Sequence, residues 1–180
     1  FTQGSLQETK NSLDVAINGN GFFQVTMPDG TIGYTRDGSF QVDAQGRVVT
    51  SSGLPVANGI TVPQGATSIS ISADGVVSAI VAGNTQPQQL GSLAMSSFIN
   101  PAGLEPVGQN LFKESAASGQ PQQGTPGTNG LGFIKQGFLE SSNINVVEEL
   151  VNMIQTQRAY EMNSKAIQTS DQMLAKLCQL

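Results

Sequence analysis

Leu13-Asp14-Val15-Ala16-Ile17-Asn18-Gly19-Asn20-Gly21-Phe22-Phe23-Gln24-Val25 sets the grammar of the first two-thirds of the chain. Leu13 to Ile17 alternates apolar with small or polar residues, the period of a strand, and stops at an Asn-Gly repeat. Phe22 to Val25 reads as the next strand, ended by Pro28-Asp29-Gly30. Outward from there the pattern repeats. Ile32–Thr35 is followed by Asp37-Gly38, Ser39–Val42 by Asp43-Ala44-Gln45-Gly46, and Arg47–Val49 closes the series. Asn-Gly and Asp-Gly pairs suit primed two-residue turns, because Asn, Asp and Gly tolerate positive φ at low cost. Ser68–Ser72 is a clean period-two strand that Asp74-Gly75 turns into Val76–Val81, and 89–98 reads as one further strand. The expected fold is mainly β, a β-meander-rich domain of short strands followed by one long C-terminal α-helix.

That helix is read from a change in composition. Nearly all Gly and Pro fall before Gly137, and 145–180 contains neither. Asn145 with Glu148 three residues on has the spacing of a capping box, Glu148 and Glu149 complement the helix dipole, and Glu161 and Lys165 stand in the favoured i,i+4 order. At ~100° per residue, Val146, Val147, Leu150, Val151 and Ile154 form one stripe. Ala159, Met162, Ala166, Met173, Leu177 and Leu180 form another, rotated by roughly a third of a turn. A two-stranded coiled coil needs one seam sustained along its length. This pattern instead predicts a helix whose two halves meet different neighbours, or one half on its own β-domain and the other on a partner.

Composition narrows the chemistry. The chain has 180 residues, a net charge of −5, no His, no Trp and one Cys. Scattered basic residues and negative charge argue against nucleic acid as a partner. Without His, a Ser-His-Asp or Cys-His arrangement is impossible. A lone Cys178 excludes an internal disulfide or a Cys-ligated zinc site and reads as a small buried apolar residue. Asp29, Asp37 and Asp74 precede Gly and Asp43 opens a turn, so turn chemistry explains them without a catalytic carboxylate pair. No calcium loop is present, and Asn18-Gly19-Asn20-Gly21 leads into a strand where a phosphate-cradling loop would open a helix. No cofactor or metal is expected. No window approaches ~20 apolar residues, so no transmembrane segment is expected. There is no cleavable signal pattern, and the opening on Phe1 reads like the middle of a longer protein.

Two motifs carry a resemblance. Ser12 to Phe23, followed by Tyr34-Thr35-Arg36-Asp37-Gly38-Ser39-Phe40, resembles the shared core motif of bacterial flagellar rod and hook proteins. Its residues here are Asn18, Gly19, Gly21, Phe22, Phe23, Arg36, Asp37 and Gly38. Ser141 to Ile154, and Gln157 to Ala166, look like the same family's terminal signature. Gly137 to Asn143 and the ending Asp171 to Leu177 are most like the distal rod members, with proximal rod and hook subunits as near alternatives.

The resemblance implies an axial structural protein, not an enzyme, that self-assembles into a helical tube crossing the periplasm and transmits motor torque to the hook. It implies proximal rod and hook proteins, flagellar ring proteins and the export apparatus as partners, and an N-terminal helix that this chain lacks. The chain is expected to comprise a β-rich outer domain (1–114), a polar connector, exposed over 115–130, with a last strand (133–140) returning to the β-domain (115–144), and a C-terminal assembly helix (145–180). Val147, Leu150, Ile154, Ile167, Leu174 and Leu177 are the expected assembly residues. A β-domain recognising peptidoglycan or ring proteins, with the helix only as anchor, is the competing expectation.

Overall fold

A computed structural model describes residues 3–83, 86–144 and 146–177. The chain divides into two compact units, 1–142 and 143–180.

Among its described residues the first unit is built from fifteen short strands. The two-stranded ribbon of β1 (Leu6–Glu8) and β15 (Phe138–Glu140) lies beside β2 (Val15–Asn18), which pairs with β14 (Phe133–Gln136). The largest sheet has six strands: β11 (Glu105–Gly108), β12 (Leu111–Lys113), β4 (Ile32–Thr35), β3 (Phe22–Thr26), β10 (Met95–Ser97) and β13 (Gln122–Gly124). The hairpin β5–β6 (Phe40–Val42, Val48–Thr50) and the meander β7–β8–β9 (Ala66–Ile71, Val76–Val81, Gln88–Ser92) pair in chain order.

The core follows from the period of the strands. In β3, neighbouring Phe22 and Phe23 point to opposite faces and enter different clusters. Phe23 is fully buried among Val15, Ile17, Phe40, Val56 and Met95, with its ring edge-on to Phe40 at 5.3 Å. Phe22 packs with Tyr34, Phe98 and Leu104, its ring 5.9 Å from that of Phe98. Gln24 and Ser96, both buried on paired strands, satisfy each other by hydrogen bonding.

Four sequence expectations change. The Asp-Gly turn at Pro28-Asp29-Gly30 has the form of the turn Ala44-Gln45-Gly46, as does the Asp-Gly turn at Ala73-Asp74-Gly75, and neither Asp-Gly pair makes a primed turn. In each the Gly N–H donates to the residue three before it, and only the Gly has positive φ (+80°, +82° and +83°). This is an ordinary turn followed by a left-handed Gly, and at Pro28 the ring, which holds φ near −65°, forbids the primed form. The Asp29 carboxylate accepts bonds from the Thr31 hydroxyl and amide, which hold its pKa below the usual value.

The run 89–98 is two strands in different sheets, β9 and β10. Likewise 133–140 breaks at Gly137 (φ +77°) into β14 and β15. Within 115–130, where an exposed connector is expected, Gln122–Gly124 forms β13 on the edge of the large sheet. Ser118 is fully buried there, its hydroxyl bonded to the Ser115 carbonyl.

The second unit is helix α1, Val146–Leu177, 32 residues and unbroken. At ~1.5 Å per residue it is about 48 Å long. Glu148 and Glu149 occupy its first turn. Glu161 and Lys165 are not joined as an ion pair; the ion pairs among the described residues are Arg36–Glu140 and Arg47–Asp43. The proposed cap Asn145, together with Cys178 and Leu180, lies outside the described residues.

Candidate functional site

The first motif gathers around Arg36, just beyond β4. Its Nε donates to Glu140 Oε2 at 2.9 Å, Nη1 to the Gly21 carbonyl at 3.0 Å, and Nη2 to the carbonyls of Gly19 at 3.1 Å and Ile17 at 3.4 Å. The guanidinium also lies 5.9 Å from the centroid of the Phe22 ring. The turn 18–21 therefore does not close a hairpin between β2 and β3, which belong to different sheets. It curls so that three carbonyls converge on one cation, and Gly19 (φ +116°) and Gly21 (φ +131°) hold backbone angles that L side chains rarely adopt.

Asp37 serves the neighbouring turn. Its Oδ1 accepts the Ser39 amide at 3.0 Å and the Ser39 hydroxyl at 2.7 Å, while Oδ2 accepts Asn110 Nδ2 at 3.4 Å. Gly38 is required by proximity rather than by φ. A Cβ there would stand 1.6 Å from the Val15 carbonyl oxygen, which leaves no room for any side chain. The Val15 amide in turn donates to the Gly38 carbonyl at 3.0 Å.

The structure thus brings together Gly19, Gly21, Phe22, Arg36, Asp37 and Gly38, with Asn18 at the end of β2 and Phe23 turned into the larger core. Sequence reasoning missed Glu140, Gln3 and Asn110 as partners of this motif. An acid in a predicted strand was visible, but nothing local pairs it with a residue 104 positions away.

Along α1, Val147, Leu150, Val151, Ile154, Met162, Ile167 and Met173 are all roughly half exposed or more. Leu174 and Leu177 lie in the same helix, with side chains outside the described residues. Large apolar side chains are thus exposed along much of this helix, whereas those of the β unit form buried clusters. Among the described residues no group of three His, Cys, Asp or Glu side chains comes together, and no helix is long and apolar enough to cross a membrane.

Comparison with known proteins identifies the class. Residues 16–79 match the flagellar hook protein FlgE/F/G D1 domain, and 135–180 the C-terminal domain of flagellar basal body rod FlgEFG proteins. The chain is 60% identical to the flagellar basal-body rod protein FlgG of Buchnera aphidicola from Acyrthosiphon pisum, over 99% of this chain and 69% of that one. It is 52% identical to FlgG of Borreliella burgdorferi, over 97% of this chain and 66% of that one. The Borreliella burgdorferi flagellar hook protein FlgE matches at 44%, over only 52% of this chain and 21% of its own. The chain belongs to the flagellar basal-body rod protein family, as a structural subunit of the FlgG type.

Proposed function

We propose that α1 is the assembly element of a distal-rod subunit, and that Val147, Leu150, Ile154, Ile167, Leu174 and Leu177 bury against neighbouring subunits in a helical tube. The observation that carries this reading is the exposure of large apolar side chains on α1 from Val147 to Met173. Burying each side chain of this kind stabilises by about 1.5–3 kcal/mol. Several such contacts per subunit supply the stiffness a torque-bearing tube needs, while the β unit lies in the outer layer. The first stripe and the second face different directions, which suits a subunit with neighbours on more than one side.

On this reading the tube crosses the periplasm between the proximal rod and the hook. Its outer surface meets the flagellar ring proteins, and its subunits arrive through the flagellar export apparatus. The chain performs no catalysis in this role.

The test replaces Leu150 and Ile154 with Ser in the complete rod subunit and images basal bodies by electron microscopy. Distal rods are expected to be absent; rods of normal length and number would overturn the proposal.

A further inference from the structure

Both ends of the β unit run through one narrow ribbon. Strands β1 and β15 pair over three residues, Leu6 with Glu140, Gln7 with Leu139 and Glu8 with Phe138. A two-stranded ribbon of this size is marginal in water without further support. At its inner end the Gly137 amide donates to the Asp14 carbonyl at 2.7 Å, a backbone tie to the body, and the Thr9 amide donates to the Gly137 carbonyl at 2.8 Å, which joins the two arms.

At the outer end the Ser141 amide donates to the Ser5 carbonyl at 2.8 Å across the ribbon, while the bonds that reach the motif turn come from side chains. Glu140 divides its oxygens: Oε1 accepts the Gly4 amide at 2.9 Å and Oε2 accepts Arg36 Nε at 2.9 Å. Arg36 directs its other donors to the carbonyls of Ile17, Gly19 and Gly21. Gln3 crosses the same turn, its Nε2 donating to the Ile17 carbonyl and its Oε1 accepting the Gly19 amide, both at 3.2 Å. The ion pair is shielded, with side chains 20% and 12% exposed. A pair this shielded is screened less than an exposed one. Arg47–Asp43, the other ion pair among the described residues, spans a single turn and joins nothing distant.

We propose that Arg36 and Glu140 are positioning residues for assembly. They clamp the outer end of the β1–β15 ribbon to the motif turn, so that the chain on either side of the ribbon leaves from one fixed point. Arg is needed there because its planar fork reaches several acceptors at once, where a Lys ammonium is a single point charge. The consequence for rods rests on the rod-subunit reading above; the clamp itself does not.

Hydrogen exchange on the 180-residue chain tests the clamp. In Arg36→Met the amides of 4–8 and 139–141 are expected to exchange at least about tenfold faster, the factor that loss of one charge-assisted bond implies, with β3 and β8 unchanged. Arg36→Lys is expected to lose most of the same protection, and Glu140→Gln provides a milder variant should Arg36→Met fail to fold. Unchanged ribbon exchange in Glu140→Gln, or equal acceleration in β3 and β8, overturns the clamp. In the complete rod subunit, Glu140→Gln is expected to impair swimming more than Val77→Ala, a core change used at matched thermal midpoint. Equal swimming overturns the positioning role. Normal rods from the Leu150/Ile154 variant would instead sink the rod reading and leave the clamp standing.

Discussion

Phe23 and Leu150 are both large apolar side chains, and the molecule treats them oppositely. Phe23 is 0% exposed in the β unit, whereas Leu150 on the terminal helix is 51% exposed. The same holds for other apolar residues of the two units. Val15, Ile17, Val56 and Met95 are wholly buried, while Val147, Ile154, Ile167 and Met173 are each at least half exposed. A sheet unit folds its apolar face onto another face of itself; a single helix has no second face to close on. The β unit therefore buries its large apolar side chains within itself, whereas those described along the helix stay half exposed or more; on the assembly reading proposed above, their burial comes with association.

This contrast breaks most sharply on truncation. Ending the complete subunit after Asn145 is expected to leave a β-type circular dichroism spectrum and to abolish rods; rods of ordinary appearance would refute the division of labour. Next in size, Phe23→Ala is expected to destabilise the β unit by about 3–5 kcal/mol in urea unfolding, since the space it leaves is closed in on every side. Gly38→Ala should cost about 1–3 kcal/mol or more, because the added Cβ meets backbone that is itself hydrogen-bonded. Gly30→Ala tests φ alone: nothing lies within 4 Å of the added Cβ, so only the strain of a left-handed residue, about 1–2 kcal/mol, is expected. Leu150→Ala comes last. It should change the stability of the chain by less than about 0.5 kcal/mol while still weakening rod formation. A large loss of stability in that variant would mean the helix is already packed within the chain, and the comparison would fall.

Much of this fold is legible in the sequence. Alternation and turn residues locate β2 to β8 closely, because a short strand with one buried face leaves a period-two record. The opposite burial of Phe22 and Phe23 follows from the same period. Strands β1, β11, β12 and β13 escape notice because three or four residues are too few to show a period, and long-range pairing rather than local preference makes them strands. The motif core was recognised as a set, but the reason for each residue was not. Gly38 is legible as a turn glycine, yet it is demanded by the Val15 carbonyl beside it. Arg36 is legible as a motif cation, yet Glu140 and three carbonyls define its task.

By itself the sequence determined a small-stranded β unit, a long terminal helix free of Gly and Pro, and the absence of His from any chemistry. These are local properties, written in period, composition and turn residues. Only the tertiary structure decided which strands pair, that β2 meets β14 and β3 meets β10, and that Arg36 holds Glu140 across 104 positions. Such pairings are choices among distant partners of nearly equal local merit. They are settled by how the apolar faces close together and how the buried polar groups find one another, and neither leaves a mark in any one stretch of chain.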